Sequence, residues 1–312
     1  MYRYVVSCDR CILTILVAVV PSLFFSVNAQ NYVDLIRVDY SLSKGNDFKD
    51  EAGSSDVQEW VVDTNLPIVL SEKSTLVSGF LFENVKVTAY PGEDEVSLYT
   101  LNLKLGLNQT YSEKWSATYI LLPKISSDLE SFGSNDFQFG LVSIFKMTKR
   151  ANLNYKFGAY YNTELSGPFL VPLFGVYYKT NRWETNIVLP ISLDINYALA
   201  KTFRVGFKFS GFQKSFHLNG SAGGTDEYLT KANNELGTYL GWNYGRINIM
   251  AMIGHSIGRH YRTYAIDDKL KFAISVIKIG DERTQLNTDF KDGMVFKTTL
   301  LYRYPVDQKK DK

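Results

Sequence analysis

The chain has almost no cysteine. Its two cysteines, Cys8 and Cys11, both lie near the start of a chain of 312 residues. They fall in a segment with the features of an export signal, and neither follows the apolar core of that segment, where the attachment cysteine of a lipoprotein would stand. The rest of the chain has no thiol, so an exported protein of this size must be stabilised by burial or by a membrane instead of by disulfides.

Long apolar runs and an excess of basic charge are also lacking. After Gln30, no segment approaches the roughly 20 consecutive apolar residues that a membrane-spanning helix needs. The 34 Lys and Arg residues nearly balance the 32 Asp and Glu residues, which excludes the basic surface that nucleic-acid binding requires. Two locations remain for an exported chain: a soluble compartment, or a membrane crossed by a closed barrel.

The N-terminus predicts export. Arg3 and Arg10 supply positive charge, residues 11–20 form an apolar core, and Val27-Asn28-Ala29 is a small-residue cleavage site. Residues 1–29 are therefore predicted to be a cleaved signal peptide. The alternative is an uncleaved membrane anchor, which Pro21 and the cleavage site disfavour.

Alternation of apolar and polar residues continues along most of the remaining chain, and aromatic residues make up 14% of the total. Successive side chains of a strand point to opposite faces, so this pattern predicts strands with one apolar face. The predicted strands are 36–42, 60–65, 74–88, 99–108, 115–121, 137–145, 153–162, 170–180, 184–197, 203–210, 235–243, 247–254, one within 262–279, and 294–304. Because many are long enough to span a membrane, we predict an all-β antiparallel transmembrane barrel of about 14 strands, within a range of roughly 12 to 16. The alternative is a soluble β-sandwich, whose strands are shorter.

Connection lengths also favour a barrel, in which short turns and long loops lie on opposite sides. The short connections at 109–112, 150 and 180–182 alternate with longer ones at 44–55, 126–135 and 164–169. The order then fails, because 198–201 is short and 214–226 is long. Splitting 183–198 at Pro190 and dividing 260–279 would restore it and give about 16 strands.

The two faces of the strands give the candidate residues. The polar faces are predicted to line the interior, through Arg37, Asp39, Asp63, Asn102, Lys104, Lys156, Asp194, Arg204, Lys208 and Glu235. The apolar faces are predicted to contact lipid, through Leu101, Leu103, Leu105, Ile187, Leu189, Ile191 and Val205. The interior charges are balanced in sign, which fits either a wet lumen or an interior closed by ion pairs.

Catalytic and metal sites are not indicated. Of the three histidines, His255 precedes Ser256 in a predicted strand, so their side chains point to opposite faces and cannot pair. His217 adjoins a Gly-rich loop and is expected to be a solvated loop residue. The acidic clusters at Asp47, Asp50 and Glu51 and at 93–95 lack the ligand order of a calcium loop. We therefore expect no enzyme activity and no cofactor.

The tetrapeptide Asp-Phe-Lys-Asp occurs twice, at 47–50 and 289–292. Both copies are expected near the outer rim, beside the seam between the first and last strands, although one such coincidence is expected in a chain of this length.

The last strand, Asp292-Gly-Met-Val-Phe-Lys-Thr-Thr-Leu-Leu-Tyr-Arg-Tyr304, resembles the final strand of outer-membrane barrel proteins, except that a tail of residues 305–312 follows its terminal aromatic. Over residues 30–304 the chain resembles a Gram-negative outer-membrane barrel. The segments 32–40 and 283–293 further resemble a family of such barrels with no assigned function. This resemblance implies the cell outer membrane as location, and membrane lipid and the barrel-assembly machinery as partners.

Three functions follow as hypotheses. The leading one is porin-like passive transport of small solutes through the polar interior. The alternative is a closed, non-conducting barrel that acts through its outer loops, and the third is an enzyme that modifies lipid. Fold alone does not decide among them.

Overall fold

A computed structural model describes residues 32–219 and 226–305. The predicted signal peptide and nearly all of the charged tail lie outside these described residues. The described part contains eighteen strands: β1 (Tyr32–Asp47), β2 (Ser54–Thr64), β3 (Leu66–Val69), β4 (Ser74–Val87), β5 (Val96–Thr110), β6 (Trp115–Ser127), β7 (Phe137–Arg150), β8 (Leu153–Glu164), β9 (Gly167–Lys179), β10 (Trp183–Leu189), β11 (Ser192–Ala198), β12 (Phe203–Leu218), β13 (Glu227–Tyr244), β14 (Ile247–Ser256), β15 (His260–Ala265), β16 (Phe272–Ile274), β17 (Ile277–Ile279) and β18 (Met294–Pro305).

The sheet closes on itself. Each wall strand pairs antiparallel with the next, β18 pairs with β14 on one side, and β1 pairs with β18 on the other, from Tyr32↔Pro305 to Leu42↔Phe296. Strands β2 and β3 both pair with β4 and form one wall strand interrupted at Asn65. The wall therefore has 14 strands, as the sequence predicted, and no free sheet edge remains at the seam.

The number of wall strands agrees with the prediction, but two of the predicted strands differ from the observed ones. Residues 184–197 were predicted to form one strand and instead form the hairpin β10–β11, with Pro190 and Ile191 as its turn. Proline lacks the amide hydrogen that a continuous strand would donate. The alternation persists through the turn, since Ile187 lies opposite Leu193 on the same face. The segment 262–279 was predicted to form a wall strand, and it instead contributes to the short strands β15, β16 and β17 of a long loop, while β14 pairs directly with β18.

This hairpin restores the order of the connections. At one end of the barrel every connection has two to four residues: 70–73, 111–114, 151–152, 180–182, 199–202 and 245–246. At the other end the connections are 48–53, 88–95, 128–136, 165–166, 190–191, 219–226 and 257–293. We name these the short-turn end and the loop end. The predicted long loop at 164–169 is instead a two-residue turn at the loop end.

The long loop, residues 257–293, repairs a gap in the wall. Strands β10 and β11 have only seven residues each. The part of β9 between Phe174 and the loop end therefore has no β10 residue beside it. Strand β16 takes that position and pairs parallel with β9 at Phe169 and Leu170. Leu270 and Ala273 then pack against Phe169, Val171 and Leu173 inside the barrel.

The two copies of Asp-Phe-Lys-Asp pair with each other at the loop end. Phe48 and Phe290 form an antiparallel bridge, and their rings pack edge to face with centroids 6.0 Å apart. Backbone hydrogen bonds run from Lys49 to Asp289 and from Lys291 to Asp47. The paired copies therefore attach the long loop to the β1–β2 connection, next to the seam.

Apolar residues form two layers. The outer face of the wall is covered with exposed Leu, Ile, Phe, Trp and Tyr side chains, and separate buried clusters fill parts of the inside. No helix in the described part of the chain is long and apolar enough to cross a membrane.

Acid should loosen the long loop through His260. Burial lowers the pKa of His260 from its ordinary 6.5 to about 4, and the nearby positive charges of Arg262 and Lys278 act in the same direction against the opposing charge of Asp289. The folded loop thus prefers the neutral imidazole. Its contribution to stability is complete above pH 6.5 and is lost as the pH falls through the range down to about 4.

We expect hydrogen exchange of the β15 amides, corrected for its intrinsic pH dependence, to accelerate across that range. His260→Gln should exchange at a constant corrected rate there. An identical acceleration in both proteins would contradict the role of His260.

Candidate functional site

The outer face carries the residues predicted to contact lipid. Leu101, Leu103, Leu105 and Leu189 are exposed on the outer side of the wall, with Leu103 at 44% exposure, and Ile187 and Val205 are half-buried among neighbours. Ile191 is placed differently. It lies in the β10–β11 turn and packs against the cluster formed by β9 and the long loop, because the strand on which it was predicted ends before it.

The inner face carries the residues predicted to line the interior. Asp63, Asn102 and Lys104 lie on the inner side of β2 and β5, where Lys104 donates to Asp63 and to the carbonyl of Thr64. Arg37 makes ion pairs with Asp39 and Asp63, each at 3.1 Å. The other members are distributed around the ring: Lys156 on β8, Asp194 on β11, Arg204 and Lys208 on β12, and Glu235 on β13.

Four of these residues meet around one cavity of about 200 Å³ toward the short-turn end. We call it the chamber. It is lined by Arg37, Asp194, Arg204 and Lys208, together with Asp34, Glu184, Asn186 and Arg303. Lys156 lies beside the chamber and reaches it through Asn186, to which it donates a hydrogen bond of 3.1 Å. Glu235 lies apart and accepts a hydrogen bond from Lys297.

Sequence reasoning omitted several interior charges. Lys297 and Arg303 stand on the polar face of the last strand, and Lys146 lies directly opposite Lys156. The alternation that identified the other interior residues also applied to these three. Asp34 could have been found in the same way, as the partner of Arg303 at 2.6 Å.

The parts of β12 and β13 nearest the loop end leave the wall and enter the barrel. We call residues 211–219 and 226–232 the inward hairpin; the residues between them lie outside the described chain. Strand β11 pairs with β12 only up to Ser210, and β14 pairs with β13 only up to Glu235. Beyond these points the hairpin is released from two wall neighbours, although its own strands remain paired with each other.

One face of the inward hairpin packs against β2, β4 and β5. Phe216, Leu218 and Leu229 join Val57, Val85, Val87 and Leu98 in a buried apolar cluster that Tyr261 and Phe290 of the long loop complete. Beside it, Lys231 is wholly buried and makes ion pairs with Glu59 at 2.8 Å and Glu83 at 2.7 Å. Lys214 also pairs with Glu83. These residues come from opposite sides of the ring, so the hairpin crosses the interior.

The opposite face of the hairpin contacts β6, β7 and β8. Glu164 on β8 accepts a hydrogen bond of 2.6 Å from the Ser215 amide and forms an ion pair of 2.5 Å with Lys124. His217 bridges to Ser127 in a single parallel backbone pairing. With both faces buried, the hairpin closes the loop end of the barrel interior.

His217 is not the solvated loop residue that the sequence suggested. It is buried in β12, and its two ring nitrogens face carboxylates of Asp136, at 2.7 Å, and Asp226, at 2.5 Å. Only a protonated imidazole can donate to both oxygens. The residue therefore fastens the hairpin to the 128–136 connection and has no nitrogen left for a serine hydroxyl.

The acidic loop residues were assigned to two separate tips, and the structure brings three of them together. Asp50, Glu51 and Glu93 line an open cleft of about 530 Å³ at the loop end, together with Asp289. Asp289 is already paired with Arg262 at 2.6 Å. In the described part of the chain, no group of three His, Cys, Asp or Glu side chains could hold a metal ion.

Comparison with solved structures gives distant likenesses to membrane barrels. An outer membrane channel from Pseudomonas putida F1 is 8% identical, with 91% of this chain and 99% of that chain covered and a TM-score of 0.45. The NanC porin is 8% identical (86% and 98% covered, TM-score 0.34), and the TodX monoaromatic hydrocarbon channel is 9% identical (86% and 88%, TM-score 0.37). At this distance they carry no argument about function.

No curated protein matches the chain. A family described as a domain of unknown function, DUF6268, matches residues 26–278, which is most of the chain. The chain belongs to the DUF6268 family.

Proposed function

We propose that this chain is an outer-membrane barrel that passes small solutes through its polar interior, and that the inward hairpin closes this path at the loop end. The observation that carries the proposal is the chamber. A barrel that serves only as a scaffold can fill its inside with its own side chains. Here a cavity of about 200 Å³ remains, and charged side chains line it.

The outer face supports a location in the membrane. A barrel wall that contacts lipid needs an apolar outer band, and such a band is present around the ring. The export signal predicted at residues 1–29 supports the same location. We further propose that the barrel-assembly machinery inserts the chain, as the resemblance of its last strand implies. We propose no enzymatic activity, since the two nitrogens of His217 are both engaged by carboxylates.

The contacts that hold the inward hairpin support a solute path that can open at the loop end. The wall closes into a ring below the hairpin, through strands that do not depend on it. The backbone of the hairpin pairs with β15 of the long loop over residues 227–232 and forms one bridge to β6, and its other contacts across the interior involve side chains. Neither β15 nor this bridge belongs to the closed ring. It could therefore withdraw without breaking the hydrogen bonds that close the ring.

A permanently closed barrel is the second candidate. The burial of Lys231 between two glutamates and the apolar cluster beside it favour this function, because both stabilise the closed state. Such a barrel would act through its outer loops.

The membrane location predicts an asymmetry between neighbouring residues of β5. Leu103→Lys places a charge on the outer band and should lower the free energy of unfolding in lipid by about 2–4 kcal/mol if the site lies near mid-membrane. Asn102→Asp also adds a charge, but on the inner face and directly opposite Lys124, and should cost little. Denaturant titration of both variants refolded in lipid vesicles measures the difference, and equal losses would contradict the assignment of the faces.

The buried ion pairs predict that the hairpin depends on Lys231. Lys231→Met leaves Glu59 without its cation and should destabilise the closed hairpin by about 3–5 kcal/mol. Combining it with Glu59→Gln should recover part of this loss, because the uncompensated charge is removed. Limited proteolysis at the hairpin measures its release. A Lys231→Met hairpin as resistant as that of the wild type would contradict a role of these ion pairs in closure.

A reversible crosslink tests closure directly. Ser127 and His217 are directly paired across the interior, as neighbouring strand residues that a disulfide can bridge. The protein from Gln30 onward has no other cysteine. We expect the Ser127→Cys/His217→Cys double variant to show no single-channel steps when oxidised and clear steps after reduction.

The single variant His217→Cys is the matched control, because it loses the histidine contacts but cannot form the crosslink; it should conduct in both redox states. Equal conductance of the double variant before and after reduction would show that the hairpin is not the closing element. Silence of all proteins, with insertion verified separately, would favour the permanently closed barrel.

A further inference from the structure

We propose that the chamber binds a small anion, a solute that carries a carboxylate or phosphate group. This inference rests on the proposed function in one respect, namely that the solute reaches the chamber through the barrel. Some interior charges already have partners of opposite sign, and others do not.

The interior carboxylates are occupied. Asp34 pairs with Arg303 at 2.6 Å, and Asp63 accepts from Arg37 and Lys104. Asp194 accepts hydrogen bonds from Tyr239 at 2.8 Å and Asn196 at 3.2 Å.

Glu184 is occupied as well, in the same region. It accepts hydrogen bonds from Tyr32 at 2.7 Å and Tyr177 at 3.0 Å. Asp34 and Glu184 thus each have a cationic partner, Arg303 and Lys179, whereas Asp194 accepts both of its hydrogen bonds through Oδ1. Among the described residues that line the chamber, four cations stand against these three carboxylates: Arg37, Arg204, Lys208 and Arg303.

Several cations, in contrast, have no carboxylate partner. Arg204 is only 7% exposed, lines the chamber, and has no hydrogen-bond partner for its Nε. Among the described residues, its guanidinium donates one hydrogen bond, to the sulfur of Met250 at 3.5 Å. A buried guanidinium normally binds a carboxylate or phosphate through two parallel hydrogen bonds, so its vacant donors indicate such a ligand.

A glycine on the neighbouring strand leaves room for this arginine to lie against the wall. A Cβ at Gly241 would lie 2.7 Å from Nε and 2.8 Å from Cγ of Arg204. The absence of a side chain therefore lets the guanidinium lie flat beside the cavity instead of projecting across it.

Lysines extend this positive region. Lys208 lines the chamber four residues along β12; the charges of Asp39 and Asp194 influence it, but it forms an ion pair with neither. Lys146 and Lys156 lie directly opposite each other on β7 and β8, an arrangement that repulsion normally disfavours. Within residues 32–219 and 226–305, the one hydrogen-bond acceptor of Lys156 is the amide oxygen of Asn186, which lines the chamber. An anion would relieve this repulsion.

The size of the chamber limits the ligand. A cavity of about 200 Å³ corresponds to roughly seven water molecules at their share of liquid volume, about 30 Å³ each. This suffices for an inorganic phosphate or a small organic acid.

Calorimetric titration of the detergent-refolded protein at low ionic strength tests the inference, with inorganic phosphate and with acetate as separate probes. We expect saturable phosphate binding that Arg204→Met and Lys208→Met each weaken by about tenfold or more, as loss of a charge-assisted contact predicts. Comparing the binding affinities of phosphate and acetate shows whether the chamber prefers a phosphate or a carboxylate group. The control is Lys201→Met, which removes one exposed positive charge in the adjacent turn and should bind as the wild type does.

If Arg204→Met does not refold, phosphate binding by Lys208→Met alone tests the inference. Absence of binding by the wild type, or equal binding by all folded variants, would overturn the inference.

Single-channel recording separates the inference from the proposed function. A protein that conducts but whose phosphate binding ignores Arg204 and Lys208 would overturn the anion site alone. A protein that binds phosphate through these residues but stays silent after release of the hairpin would support the anion site and overturn transport.

Discussion

Closure of the hydrogen-bonded ring is the constraint on which the rest of the structure depends. Because β1 pairs with β18, every wall strand has a neighbour on both sides and the backbone can be satisfied without water. Closure also separates the two sides of the sheet. Alternate residues then belong to an apolar outside and a polar inside for the full length of each strand.

The short β10–β11 hairpin has consequences beyond its own position. Since these strands stop early, β9 and β12 continue upward without the neighbours that β10 and β11 would have provided. Strand β16 of the long loop occupies the place beside β9, and β12 turns inward with β13. One short pair of strands thus accounts for the closed loop end and for the packing of the long loop.

The interior consequently has two levels with different chemistry. Toward the loop end, charges such as Lys231, Glu83 and Glu164 are paired and buried, and apolar side chains fill the remaining space. Toward the short-turn end, a cavity remains, and in the part of the chain that the structure describes Arg204 and Lys208 form no ion pair with a carboxylate. The first level stabilises closure, whereas the second has vacant donors of the kind that a ligand would satisfy.

Alternation by itself determined the barrel class and the separation of faces such as that of Leu103 from Asn102, because a period of two is a local property of a strand. The predicted number of wall strands agreed because two errors offset each other: the hairpin at 184–197 was counted as one strand, and a wall strand was counted within 262–279. It could not determine where a strand bends. The single apolar row across 184–197 reads the same whether or not a two-residue turn interrupts it, since such a turn leaves Ile187 and Leu193 on one face. Nor could it reveal that both faces of residues 211–219 are buried, because Phe216 and His217 find their partners on strands far away in sequence. Balanced charge was readable from the composition; which cations remain unpaired was decided only when the fold assigned each carboxylate to a neighbour across the barrel.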